Sequence, residues 1–233
     1  MNLQAGERTN VNVWCCRTRI GLVFVFVLAG TSCGGGGGGS SPPANVQSVP
    51  APKEPFSISA TLNTTYNGNS LQLIYRETPN AGLIQFQGQM ANNSSVSLTV
   101  TENGVTALTE VGTSYYLENP YSPLGAVMST NGVQTTFVVN SYTPYPKTLT
   151  VGASGPVDAG TYYDTSNVNI GGLTSTYTVA ADDSTSVLVN IDSAGSVNGT
   201  ASSQTETYTV DTSGDTSLIS VKLTVNGVTL TFM

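Results

Sequence analysis

Few residues of this 233-residue chain could do chemistry, and what is missing narrows the choice as much as what is present. No histidine occurs, which removes Ser-His-Asp and Cys-His nucleophile systems and the commonest zinc ligand. No Ser-x-x-Lys pattern precedes Lys53, Lys147 or Lys222, so the usual serine–lysine arrangement is missing too. The glycine run at 34–39 leads to neither a helical pattern nor a lysine and does not read as a phosphate loop. Carboxylates remain. Glu77, Glu102, Glu110, Glu118 and Glu206 are candidates for glycosidase-type acid–base work, which needs two facing carboxyls about 5–10 Å apart. Their spacing singles out no pair, and the single tryptophan, Trp14, lies far upstream, although sugar clefts often stack substrate on such a ring. The expectation is a non-enzyme with no cofactor, a carbohydrate-active hydrolase being the minor alternative.

Two acidic clusters, Asp182-Asp183 and "DTSGD" from Asp211 to Asp215, offer oxygen ligands of the kind calcium takes. Neither completes a ligand loop, and both lie between strand patterns, where Asp, Ser and Gly are ordinary turn formers. No metal site is expected. The most suggestive feature is aromatic: Tyr115, Tyr116, Tyr121, Tyr142, Tyr145, Tyr162 and Tyr163 place seven of eleven tyrosines close together. They fall in "SYYLENPYSPLG", "NSYTPYPKT" and "GTYYDTS", which also carry loop-forming Pro, Gly and Asn. A tyrosine offers a rigid apolar face with a polar tip, suited to gripping a glycan, a peptide or an apolar ligand. The alternative is that these rings seal one end of a β-core.

The elements that would position these groups follow from composition and period. Hydrophobic residues make up 39% of the chain and charged ones only 9%, so Ser, Thr, Asn and Gly must cover the solvent faces. "SVSLTV" sets Val96, Leu98 and Val100 on one face against Ser97 and Thr99. "ISVKLTV" does the same with Ile219, Val221, Leu223 and Val225 against Ser220, Lys222 and Thr224. One buried and one wet face imply antiparallel strands. Asn-Gly pairs at 67–68, 103–104, 131–132, 198–199 and 226–227 are the strongest local hairpin signal, because type I′ turns need positive φ at both central residues. The expected fold over 56–233 is all-β and antiparallel, about a dozen strands forming either two packed sheets (a sandwich) or a strongly curved partial barrel. "VSLTVTENGVT" (96–106) and "ISVKLTVNGVT" (219–229) match on their turns, from a duplication with halves near 56–145 and 146–233 or from shared hairpin constraints. The closing "VTLTFM" alternates as well, which puts the C-terminus in the sheet.

Charge divides at Cys33. Three arginines, Arg8, Arg17 and Arg19, precede it, whereas Lys53, Arg76, Lys147 and Lys222 face thirteen acids after it. An acidic body without basic patches argues against nucleic-acid binding. The stretch "RTRIGLVFVFVLAGTSC", from Arg17 to Cys33, has a basic start and an apolar run at 20–30. Eleven helical residues reach only about 16 Å, short of a hydrocarbon core of about 30 Å, so a removable signal over 1–32 fits better than a permanent span. Small residues then lead into Cys33, followed by six glycines.

In these residues the chain resembles bacterial lipoprotein precursors, with Gly30 where such precursors usually carry an aliphatic residue. The resemblance covers residues 17–40 and implies an address only. Cys33 would carry a diacylglycerol thioether, signal peptidase II would cut before it, and its new amino group would take a further acyl chain such as palmitate. Gly34 after the cysteine is compatible with transfer to the outer membrane, which makes the expected location the cell envelope. An ordinary secretory signal that leaves Cys33 as a free thiol is the alternative. Residues 33–55 read as a lipidated cysteine and a Gly/Ser/Pro spacer. The expectation is therefore a membrane-anchored envelope lipoprotein with a non-enzymatic binding or structural β-domain, or else an adhesive surface protein without a ligand pocket.

Overall fold

The computed structural model describes residues 46–52 and 57–233. The expected signal at 1–32, Cys33 and most of the expected spacer lie outside the described residues. The first strands are β1 (Ser48–Pro50), β2 (Ile58–Tyr66), β3 (Asn69–Pro79), β4 (Ile84–Phe86), β5 (Gln89–Glu102), β6 (Val105–Glu118), β7 (Tyr121–Thr130) and β8 (Val133–Tyr142). They continue as β9 (Thr148–Thr150), β10 (Ser154–Tyr163), β11 (Asn169–Ala181), β12 (Ser186–Val197), β13 (Thr200–Asp211), β14 (Thr216–Val225) and β15 (Val228–Phe232). Among the described residues there is no helix.

Alternation builds these strands as expected. In β5, Val96, Leu98 and Val100 are buried while Ser97 and Thr99 stay partly exposed. β14 departs from the expected phase at one place. The β13–β14 register shifts so that Leu218 faces Tyr208 and Ser220 faces Thr207, leaving Ile219 as an extra residue. A bulge throws that side chain outward, so Ile219 is exposed and Leu218 takes the core position.

Between the two expected architectures, the chain adopts the curved one. Twelve strands form a single antiparallel meander in the order β2-β3-β5-β6-β7-β8-β10-β11-β12-β13-β14-β15. The sheet curls until its two ends meet: Asn63 of β2 and Met233, just beyond β15, exchange backbone hydrogen bonds of 2.8 and 3.0 Å. Register shifts in the β5–β6, β6–β7, β8–β10, β10–β11 and β13–β14 pairs supply the bends that closure requires. The result is a nearly closed barrel. Inside it a large apolar cluster includes Leu73, Leu98, Met128, Phe137, Val221 and Phe232. The two matching hairpins lie on the third and eleventh strands of the twelve-strand order. Those places are not equivalent in two halves of six strands, which favours shared turn constraints over duplication.

In an up-and-down meander every second connection falls at the same end. All five Asn-Gly turns therefore lie at one end, here the Asn-Gly end, with both central residues at positive φ (Asn103 at 50°, Gly104 at 80°). Their asparagines also tie neighbouring hairpins together. Asn103 Oδ1 accepts the Ser70 N–H at 3.0 Å, and Asn131 Oδ1 accepts the Thr109 N–H at 3.2 Å. The other end, here the loop end, carries the longer connections and the N-terminal segment. There β1 pairs with β9, Val49 opposite Leu149, and both side chains are sealed in a second cluster with Val157, Val187 and Ile191. Residues 46–51, assigned by composition to the spacer, thus belong to the fold. Val46 and Val49 supply the apolar surface, and the Val46, Val151 and Ala51 N–H groups find backbone acceptors.

Candidate functional site

Two places bring together groups that chemistry can use: the barrel interior and the loop end. The interior is unusual for its acids. Glu77, Glu110, Asp158 and Glu206 all point inward and are at most 5% exposed. Each sits on the apolar phase of its strand: Glu77 with Leu73 and Tyr75, Glu110 with Leu108, Asp158 with Tyr162, Glu206 with Tyr208 and Val210.

Two of them form matching carboxyl–phenol pairs. On β3 the Tyr75 hydroxyl donates to Glu77 Oε2 at 2.7 Å, and the Ser114 hydroxyl donates to Oε1 at 2.8 Å. On β13 the Tyr208 hydroxyl donates to Glu206 Oε2 at 3.1 Å, and the Gln204 amide donates to Oε1 at 2.5 Å. The pairs sense one another across the interior. Burial first, then Glu206, raises the Tyr208 phenol, and Glu77 adds to that; Tyr75 is raised by burial and by Glu77, with Tyr208 and Glu206 contributing. Both phenols stay neutral.

The carboxyls are shifted the same way. Burial pushes Glu206 up to about 8, opposed by its bonds from Tyr208 and Gln204 and reinforced by Glu77 and Asp158. Burial pushes Glu77 up to about 7 against the relief from Tyr75, Ser114 and Ser94. Asp158 rises to about 6, again through burial. Ser175 lies opposite it across the ladder and tempers that rise, although the Ser175 hydroxyl is 2.9 Å from Ser193 Oγ and Asp158 itself holds no hydrogen bond within normal limits. An ionised carboxylate in such surroundings carries a large desolvation cost, and neutralisation is the usual escape. Chemically the cluster can hold and release protons. Its four carboxyls are almost wholly shielded from solvent, at most 5% exposed.

Of the five glutamates suggested by sequence, Glu77, Glu110 and Glu206 lie in the interior, whereas Glu118 is exposed and Glu102 sits at the Asn-Gly end, where it accepts from the Asn69 amide at 2.5 Å. Sequence reasoning passed over Asp158, Tyr75 and Tyr208. The signal that finds them is an acid or phenol in phase with inward Leu and Val. The aspartate clusters serve their own turns. Asp183 Oδ1 accepts the Thr185 and Ser186 N–H groups at 2.6 and 2.9 Å, which holds its carboxyl below the ordinary range. Asp211 Oδ1 accepts from Ser213 and Asp215 at 2.7 and 3.0 Å.

The seven tyrosines divide. Tyr115, Tyr116, Tyr121, Tyr142 and Tyr145 gather at the loop end, whereas Tyr162 and Tyr163 finish β10 at the Asn-Gly end. Tyr162 is buried against Phe137, ring centroids 4.8 Å apart. At the loop end, Tyr121 bridges Tyr116 at 5.6 Å and Tyr142 at 6.1 Å. Tyr145 meets Tyr177 edge-on at 5.3 Å, and Tyr115 stacks on Phe86 at 4.2 Å. All but Tyr145 belong to strands, and Tyr116 is wholly buried. The rings therefore brace the end of the barrel against one another, leaving the partly exposed faces of Tyr121, Tyr142 and Tyr145 toward solvent.

No protein-family model, no curated protein and no solved structure matches this chain, so its fold and side-chain chemistry carry the functional argument.

Proposed function

We propose that this is a membrane-anchored cell-envelope lipoprotein, held at the outer membrane through Cys33, whose barrel is a non-enzymatic binding module. The observation that carries the reading is the division of the sheet's two faces. Four carboxyls, those of Glu77, Glu110, Asp158 and Glu206, and the phenols of Tyr75 and Tyr208 are closed inside, while Ser and Thr cover much of the outside. That leaves the outer surface and the loop end to meet a partner. The half-exposed tyrosines there suit a glycan, a peptide or an apolar ligand. Edge-mediated adhesion is the weaker second reading, because the Asn63–Met233 closure joins the two ends of the sheet and an adhesive strand edge must be open.

The test is cross-linking of the full-length protein in intact envelopes, followed by purification with its neighbours. Wild type is compared with a Tyr121→Ala, Tyr142→Ala, Tyr145→Ala triple variant whose folding is checked by thermal melting. The expected result is a discrete partner captured by wild type and lost from the folded variant. Equal capture by both forms, or no partner with either, contradicts the proposed surface.

A further inference from the structure

The barrel wall is joined far more weakly along one line than elsewhere. On one side of that line, β2 forms a ladder with β3 alone. On the other, β15 runs out at Phe232 and covers β14 only from Val221 to Val225. Among the described residues, the Asn63–Met233 exchange is the one backbone bridge across. From there toward the loop end, residues 58–62 of β2 and 216–220 of β14 form two lips with no ladder between them. Side chains close this stretch. Ile58 and Leu62 from one lip and Leu218 from the other lie buried in the same apolar cluster, and the two strands are near neighbours.

The two carboxyl–phenol pairs sit on the strands directly behind these lips. Glu77 lies opposite Ile58 and Tyr75 opposite Ala60 in the β2–β3 ladder. Glu206 lies opposite Val221 and Tyr208 opposite Leu218 in the β13–β14 ladder. Each lip is thus backed by one buried acid. No base answers them: Arg76, Lys147 and Lys222, the basic residues among those described, are all exposed. The groups that face the pairs from other elements are acids and phenols too. Tyr116 of β6 senses Glu77, Asp158 of β10 acts on Glu206, and Tyr145, beyond β8, acts on Tyr208. Behind them, Glu110 of β6 and Asp158 act on Tyr162 of β10. Ionised, Glu77 and Glu206 become like charges buried without a counterion, each costly to keep from water. Burial raises Glu77 to about 7 and Glu206 to about 8, so the closed wall is favoured below that range and loses that support as pH rises through it. Water can relieve the charges most cheaply where no backbone bonds must break, which is between the lips.

We infer that the β2–β14 seam is a proton-controlled gate, shut while Glu77 and Glu206 carry their protons and parted when they release them. The β2–β3 and β13–β14 ladders persist through the change, so the lips separate as the sides of a slot and the strands do not unravel. Opening brings water to the carboxyls and presents the apolar interior around Leu62 and Leu218 at the surface. The gate belongs to the barrel and does not depend on the Cys33 anchor.

An indole at position 232 reads the gate, because Phe232 is 1% exposed beside the seam and belongs to the same cluster. Full-length Phe232→Trp protein, with Trp14→Phe to silence the single native tryptophan, is purified in detergent. It is quenched with acrylamide at pH 5.5 and pH 8.5, and far-UV circular dichroism is recorded alongside. The expected result is a quenching constant roughly threefold higher at pH 8.5 with an unchanged strand spectrum, as the open form gains population. Adding Glu77→Gln and Glu206→Gln should abolish that rise. A quenching constant indifferent to pH overturns the gate. An equal rise in the glutamine protein also overturns it, since the carboxyls are then not the cause. A rise accompanied by loss of the strand spectrum is unfolding and overturns it as well. Ile58→Trp, at the mouth of the seam, repeats the test should the Phe232 variant fold poorly at pH 5.5.

Discussion

Glu206→Gln tests whether the buried acids govern stability. The folded barrel carries this carboxyl from 4.5 to about 8, so it binds the proton more tightly than the unfolded chain does. Stability from that proton is fully present below the unfolded value and is lost as pH rises toward 8. Linkage costs on the order of 1.4 kcal/mol per pH unit over the interval, or about 4–5 kcal/mol in all. For a domain of this size that corresponds to roughly 10–15 °C in melting temperature. Glutamine keeps the shape and an acceptor for the Tyr208 hydroxyl but cannot ionise. Thermal melts followed by circular dichroism at pH 5 and pH 8.5 should show wild type losing stability at the higher pH. The variant should show a fall smaller by roughly 10 °C, and should be the more stable of the two at pH 8.5. Glu77 at about 7 and Asp158 at about 6 act in the same direction, but they share one electrostatic field with Glu206 and their effects do not add. Equal pH dependence in wild type and Glu206→Gln would refute the reasoning.

Gly160→Ala should destabilise the barrel by about 1–3 kcal/mol through overpacking, measured by urea unfolding, because a Cβ there would stand 2.3 Å from Phe137 Cζ and 2.6 Å from the Val138 carbonyl oxygen. Phe232→Ala should cost about 3–5 kcal/mol in the same assay, since that ring is 1% exposed at the closing strand; an unchanged urea midpoint would argue that the closure contributes nothing to the fold.

Strand identity and turn position were legible because they depend on neighbours in sequence. Val96-Leu98-Val100 and the five Asn-Gly pairs announce themselves within ten residues. Closure was not, because a sandwich and a barrel demand the same alternation. The difference lies in bulges such as Ile219 and in one long-range backbone pair, Asn63 with Met233. β1 was hidden for another reason: Val46 and Val49 are three apart in a Pro-rich stretch and show no period of two, and only pairing with Leu149 reveals their burial. The tyrosines were read as loop residues from the Pro, Gly and Asn around them. Yet Pro123 sits inside β7 and Gly160 inside β10, where strand bends accommodate them. Glu77, Glu110 and Glu206 were visible as carboxylates. Their burial followed from phase, and their company with Asp158 required the curvature that brings β3, β6, β10 and β13 around one interior.

The most direct test of the central claim is metabolic labelling with a clickable fatty acid, followed by purification of the full-length protein from envelopes. The account predicts acyl label on wild type and none on Cys33→Ala, with the substituted protein retained at the size of the uncut precursor. Label that survives the substitution, or wild type that carries none, would contradict it.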